Sequence, residues 1–141
     1  MDLNIKKAYN FIQNHLNKEW GDIDFDYSIS KDEVNVTADL ELNNHGNVYA
    51  EMIVYQGGGT WFRAFFGEIE KTPEVLELLN EFNYNEPFFK AFIGDGGFEL
   101  RHFFVCFEED MLKSYAGEFL TRLAGLADDE CLKKLTRRIR D

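Results

Sequence analysis

Apolar residues change from helical to strand spacing near the start of the chain. Across residues 2–18 they recur every three or four positions, which predicts one buried stripe on an amphipathic helix. Residues 23–29 and 34–42 then alternate apolar and polar side chains, as half-buried antiparallel strands do. A third strand is predicted at 48–55, which completes a meander. The predicted helical stripe consists of Ile5, Ala8, Tyr9, Ile12 and Leu16.

A second set of helices and strands is predicted from residue 72 onward. Residues 72–74 have the pattern of a helix start: a threonine as N-cap, a proline in the first turn, and a glutamate whose negative charge is favourable near the partially positive N-terminus of a helix. Residues 88–93 and 98–107 have the pattern of a β-hairpin, and a long helix is expected from Glu109. The middle helix is predicted to bury Val75, Leu76, Leu79 and Phe82.

These elements predict an α+β fold in which an antiparallel sheet packs against helices. Their order is helix, three or four strands, helix, two strands, helix. The chain fits a single domain, 1–141, since folding at this size buries about 70% of the unfolded chain's surface. A short basic helix is predicted at about 128–141, with Leu132, Leu135 and Ile139 as its apolar residues.

Charge is distributed unevenly along the chain. The formal net charge of −11 argues against nucleic acid as a partner, because phosphate binding depends on Lys and Arg. Residues 133–140 hold five of the 15 Lys and Arg, so residues 1–132 hold 10 basic against 25 acidic side chains. The cations suit the last turns of a helix, whose C-terminus is partially negative. The alternative is a tail that contacts the acidic body of its own chain, a second subunit or an anionic partner.

The N-terminus and the cysteines indicate an intracellular protein. Charged residues interrupt the apolar ones in residues 1–16, unlike in a secretory signal or a membrane span. We therefore expect a cytoplasmic protein with no membrane partner. Cys106 and Cys131 have no metal-ligand spacing, so idle thiols are expected instead of a disulfide.

Four acidic residues match part of a Ca²⁺-binding EF-hand loop. Asp22, Asp24, Asp26 and Glu33 occupy ligand positions after a predicted helix. However, Tyr27 stands where the sharp turn requires Gly, and a strand follows in place of the exit helix. We interpret the acids as the solvent-facing side of a strand and expect no metal. A weak divalent-cation site is the alternative.

No group of residues forms a catalytic or cofactor signature. The glycine runs 57–59 and 94–97 lead into strands and not into a helix N-terminus, so they are interpreted as hairpin turns and not as phosphate loops. His15, His45 and His102 are far apart, and no nucleophile has a base nearby. His102 is expected on the buried side of its strand, where it needs a partner. We expect no enzyme activity and no cofactor.

Aromatic residues are the main candidates for binding a partner. Core packing explains many such residues, but consecutive aromatics in a strand place rings on both faces of the sheet. The second face is expected to be covered by helices, a dimer partner or a peptide. The candidates are Trp61, Phe62, Phe65 and Phe66 in one segment and Phe88, Phe89 and Phe92 in another.

The segment 78–101 resembles the YbjN family of small bacterial proteins. In that family the middle helix carries Leu-Asn followed by a second Asn, and an aromatic strand, an Asp-Gly turn and an apolar strand follow. The chain differs in its long strand run at 48–66 and in its basic tail. The matching residues are Leu79, Asn80 and Asn83, then Phe88, Phe89, Ala91 and Phe92, then Asp95 and Gly96, then Phe98 and Leu100.

The resemblance implies a type III secretion chaperone-like fold, usually dimeric and without established catalytic residues. Members are described as sensory transduction regulators, and the fold suggests chaperone-like binding of a partner segment. We therefore expect a non-enzymatic interaction module, a homodimer that binds a protein partner. The alternative is a regulator that responds to a small ligand or divalent cation, at residues 22–33 or in an aromatic pocket. Asn80 and Asn83 are expected to end the helix and tie down the next loop.

Overall fold

The computed structural model describes residues 2–95 and 97–140, which form an α+β arrangement. A short 3-10 turn at Glu109–Met111 precedes the third helix. Helices α1 to α4 span Ile5–Glu19, Pro73–Asn85, Leu112–Ala124 and Glu130–Thr136. Strands β1 to β7 span Asp26–Ile29, Glu33–Leu42, Gly46–Tyr55, Gly59–Ile69, Lys90–Gly94, Gly97–Val105 and Ile139–Arg140.

Strands β1 to β6 form one antiparallel sheet in the spatial order β1-β2-β3-β4-β6-β5. The first four strands are neighbours in sequence order, so the predicted meander is confirmed and includes a fourth strand. The β3–β4 turn requires glycine at Gly58, whose φ is +97° and where a Cβ would lie 2.4 Å from the Cys106 carbonyl oxygen. The predicted α+β fold, with an antiparallel sheet packed against helices, is confirmed.

The hydrophobic core lies between the helices and one face of the sheet. Alternate residues of β2, β3 and β4 are buried there, together with the apolar stripes of the four helices. Phe62 of β4 is 1% exposed, and its ring stacks on Phe119 of α3 with centroids 4.6 Å apart. This packing specifies the strand register, because a slip by one residue would turn the core residues to solvent.

Two local predictions were wrong. On α2, Leu76 is 45% exposed and Leu78 is buried instead, because the 100° turn per residue carries Leu76 away from the stripe. The C-terminal helix ends at Thr136, and Ile139 pairs with Ile69 of β4 as a strand residue. Asp141, the end of the predicted helix, lies outside the described residues.

The basic tail contacts its own chain. Arg138 forms an ion pair with Glu74 in the first turn of α2, whereas Lys133 pairs with Glu130 within α4 itself. The predicted alternative, a basic tail that contacts the acidic body of its own chain, is therefore present at the ion pair of Arg138 with Glu74. Within residues 2–95 and 97–140, no helix is long and apolar enough to cross a membrane.

Candidate functional site

The sheet has a second face that none of the described helices covers. Its side chains alternate with the core residues, and the strand register aligns them across the sheet. Phe103 is 48% exposed and Phe92 is 43% exposed. We call this surface the open face. Its central residues are Tyr49, Glu51, Ile53 and Tyr55 of β3, Trp61, Arg63 and Phe65 of β4, Glu99, Arg101, Phe103 and Val105 of β6, and Phe92 of β5.

Three of the seven aromatic candidates lie on the open face, namely Trp61, Phe65 and Phe92. The other residues of each run point to the helices, because successive side chains of a strand face opposite sides of a sheet. Their assignment as binding residues was therefore wrong, since they belong to the core. The core residues among the candidates are Phe62, Phe66 and Phe89, which are 1%, 8% and 0% exposed.

Sequence reasoning missed aromatic and aliphatic residues that other strands contribute to the open face. Tyr49 and Tyr55 of β3 and Phe103 and Val105 of β6 are each between 42% and 48% exposed. For β3 the sequence alone could have indicated this, because the two tyrosines alternate with core residues along the strand. For β6 the signal was weaker, since apolar residues occupy both parities of that strand. Only the pairing of β6 with β4 places Phe103 beside Trp61.

An ion network occupies the centre of the open face. The Glu99 carboxylate is buried and accepts hydrogen bonds from Arg63 Nη2 at 3.3 Å and from Arg101 Nε. Arg63 Nη1 also lies 3.7 Å from Glu51 Oε1. Two carboxylates thus compensate two guanidinium groups, as partly buried charges require.

Aromatic rings surround this ion network. The Cζ atoms of Arg63 and Arg101 lie 4.8 Å from the ring centres of Phe65 and Phe92, respectively. The Trp61 and Phe103 rings are in contact, with centroids 4.7 Å apart. Aromatic side chains and arginine are the residue types enriched in protein–protein interfaces and in their energetic centres. The open face therefore has the composition of a protein-binding surface.

A side chain from α2 occupies the outer edge of β5. Asn83 donates from Nδ2 to the Ala91 carbonyl oxygen at 3.1 Å and accepts from the Ala91 N–H at 2.6 Å. These are the two hydrogen bonds that a neighbouring strand would make, so the expected side-chain to backbone bonds of Asn83 reach β5 instead of the loop before it. Since α2 continues to Asn85, the prediction that Asn83 ends the helix was wrong. The Ala91 backbone groups are consequently not free to add a partner strand at this edge.

Asn80 does not share the role of Asn83. The helix continues to Asn85, so Asn80 does not end it, and its exposed side chain makes no hydrogen bond with any described residue. Its assignment to the end of the helix was wrong. Asp95 lies in the β5–β6 turn, as predicted, and Gly96 lies outside the described residues.

The acidic segment does not form a metal-binding loop. Asp26 begins β1 and Glu33 begins β2, so a strand follows the acids in place of an EF-hand exit helix. Asp22 and Asp24 line an open cleft of about 380 Å³ beside Trp20. Within residues 2–95 and 97–140, no three His, Cys, Asp or Glu side chains are close enough together to hold a metal ion.

The histidines in the turn and the strand have structural partners. His102 Nδ1 lies 2.8 Å from the Phe88 carbonyl oxygen, and the two rings stack with centroids 3.8 Å apart. Phe88 is thus held half-buried on the helix side, so it does not belong to the open face. His45 in the β2–β3 turn contacts the Leu126 carbonyl oxygen and the Thr136 hydroxyl, both at 3.0 Å. Both rings attach strands to neighbouring segments.

We predict that both thiols react slowly in the native protein. Burial raises the pKa of Cys131 to about 11, with Glu81 as the next cause, and burial also raises the pKa of Cys106. Alkylation of Cys131 by iodoacetamide at pH 8, followed by mass spectrometry, should be more than about 50-fold slower than in urea, where the thiol pKa is about 8.5, and Cys106 should also react more slowly than in urea. Since the native state holds the Cys131 proton more tightly, stability due to this group is complete below about pH 8.5 and is lost as pH rises to 11. Equal alkylation rates in the native and unfolded protein would contradict the prediction.

Searches of protein-family models, curated proteins and solved structures found no match to this chain.

Proposed function

We propose that this protein is a non-enzymatic interaction module that holds a protein partner on the open face of its sheet. The observation that carries the proposal is an uncovered sheet face on which exposed aromatic rings surround an arginine–glutamate network. Exposed apolar patches of this kind on a folded domain mark interaction sites. The aromatic rings provide apolar area, and the charged centre provides specificity for one orientation of the partner.

The arrangement of the sheet favours its face over its edges as the binding surface. On one side, the Asn83 side chain already bonds the backbone of Ala91. On the other side, β1 has only four residues, which gives a partner strand little backbone to pair with. A regulator or a chaperone-like cytoplasmic protein of the type III secretion chaperone-like fold fits this mode of binding. A partner segment would lie across several strands and contact their side chains.

A pull-down from the native host tests the proposal. Tagged wild-type protein is compared with the double variant Phe92→Ser and Phe103→Ser, which removes two rings that are 43% and 48% exposed. The matched control is Tyr84→Ser on α2, where the ring is 90% exposed but lies away from the open face. We expect the wild type and the Tyr84 variant to retain the same protein and the double variant to lose it. Equal capture by all three proteins would contradict the proposal.

A further inference from the structure

We propose that the open face binds an amphipathic α-helix of a partner protein, with Lys and Arg side chains along the edge of that helix that faces β1 and β2. The inference rests on the proposed function, because it names the kind of partner that the open face holds. Three observations lead to it: carboxylates beside the aromatic residues, the spacing of these carboxylates, and a sheet face without free backbone groups.

Carboxylates border the aromatic part of the open face on the side of β1 and β2. Neither strand contains Lys or Arg, so no cation of these strands neutralises them. None of these carboxylates forms an ion pair with another residue in the described part of the chain. Unpaired charges of one sign at the side of a binding surface select a partner of the opposite charge. We call this group the acidic strip, and it consists of Asp26, Glu33, Asp39 and Glu41.

The strand register places the acidic strip directly beside aromatic rings. Asp39 is paired with Tyr49, and Glu33 is paired with Tyr55. Paired residues of adjacent strands point to the same face of a sheet, with Cβ atoms about 4.5–5.5 Å apart. The two tyrosines are 43% and 42% exposed, so the rings and the carboxylates are accessible together. A partner that fits this surface has cations immediately beside its apolar residues.

The spacing of the carboxylates matches the spacing of cations on a helix. Asp39 and Glu41 lie about 6.6 Å apart along β2, and helix positions i and i+4 lie about 6 Å apart along the helix axis. Glu33 lies about 20 Å from Asp39, a distance that corresponds to roughly 13 helix residues, or nearly four turns. Within residues 2–95 and 97–140, no three acidic side chains are close enough together to hold a metal ion. Separate Lys and Arg side chains therefore suit the acidic strip better than one divalent cation.

The open face offers side chains to a partner but no free backbone groups at its centre. β3 and β4 each have a hydrogen-bonded strand on both sides. An extended segment on this face would therefore leave its own N–H and C=O groups without protein partners, whereas a helix satisfies most of them internally. The opposite face of the same sheet already packs on helices, as the stacked rings of Phe62 and Phe119 show. A helix on the open face completes a three-layer arrangement.

A helix along β3 and β4 contacts both parts of the open face. A helix of about 18 residues is about 27 Å long, and β3 and β4 are each about 33 Å long or slightly longer. Its apolar stripe then covers Tyr49, Ile53 and Trp61. β2 lies roughly 5–10 Å to the side of these strands, close to the radius of about 5–6 Å of a helix with its side chains. Cations on that side of the helix therefore meet the acidic strip.

Three synthetic peptides of about 18 residues, which form about five helical turns, test the inference. All three have the same stripe of Leu residues. The first has Lys beside the stripe, the second has Glu at the same positions, and the third is the Lys peptide with two central prolines, which break a helix. Fluorescence anisotropy of the labelled peptides measures each Kd. We expect the Lys peptide to bind at least about tenfold more tightly than the other two, and less tightly as NaCl is added. Equal affinities of the Lys peptide and either other peptide, or no binding of the Lys peptide at about 0.1 mM, would overturn the inference.

Variants of the acidic strip locate the bound cations. Asp39→Asn combined with Glu41→Gln removes two exposed carboxylates and should weaken binding of the Lys peptide about tenfold. The matched control, Glu19→Gln combined with Glu77→Gln, removes two exposed carboxylates from α1 and α2 and should bind like the wild type. All four residues are exposed, so both variants should remain folded, which circular dichroism checks. Equal weakening in both variants would show attraction to the net charge of the protein and would overturn the inference.

The pull-down with the Phe92 and Phe103 double variant separates this inference from the proposed function. If that variant lost the host protein but the Lys and Glu peptides bound the wild type equally, the proposed function would stand and the cationic helix would be wrong. If that variant captured the host protein as well as the wild type did, the proposed function would fail and the inference would fail with it.

Discussion

Replacing Asn83 by Ala should lower the free energy of unfolding by about 2–3 kcal/mol. The substitution removes both hydrogen bonds to Ala91, a residue that is 4% exposed, and leaves its N–H and carbonyl without partners. An unsatisfied buried polar group costs about 1–3 kcal/mol, and the higher helix propensity of Ala offsets only about 0.5 kcal/mol. Urea unfolding followed by circular dichroism measures the change.

The matched control for this prediction is Asn80→Ala on the same helix. Asn80 is exposed and makes no side-chain hydrogen bond among the described residues, so its removal should change stability by less than about 0.5 kcal/mol. A similar decrease in the free energy of unfolding for both variants would show that the Asn83 hydrogen bonds contribute little to stability. The Asn83 variant should also aggregate faster on warming, because the freed β5 edge can pair with another chain.

Glu99→Gln is expected to destabilise the protein by about 2–4 kcal/mol. The Glu99 side chain is 4% exposed and compensates Arg63 and Arg101, whose side chains are 29% and 33% exposed. Removing one partner from a buried ion pair typically costs about 3–5 kcal/mol, and partial exposure of the arginines reduces this cost. The amide keeps the shape of the carboxylate but has no charge. The decrease in the free energy of unfolding therefore measures the charge interaction. Urea unfolding at a fixed protein concentration provides the measurement.

An exposed ion pair serves as the control for the Glu99 variant. Glu118 and Arg122 on α3 are 42% and 45% exposed and pair at 2.8 Å. Glu118→Gln should cost less than about 0.5 kcal/mol, because water screens such pairs. If the two variants lost equal stability, the network in the open face would contribute no more than a surface pair. Addition of 1 M NaCl should reduce the small Glu118 effect more than the Glu99 effect.

Local pattern was sufficient to predict most helices and strands. The cap at Thr72 and the alternation through β2 and β3 depend on neighbouring residues, so they can be read without knowing the fold. The predicted strand at 23–29 shortened to Asp26–Ile29, since only those residues pair with β2. Ile139 was assigned to a helix because its tertiary partner on β4 lies 70 residues away in sequence.

The sequence by itself determined the fold class, the meander and the β5–β6 hairpin, because each depends on periodicity and on turn residues. Only the tertiary structure decided which aromatic residues share a surface. Trp61, Phe103 and Phe92 come from three strands, and the strand register alone brings them to one side of the sheet. The same register places Arg63 of β4 beside Glu99 of β6, since pairing across a sheet depends on contacts between segments distant in sequence, whereas Arg101 lies two residues from Glu99 on the same strand.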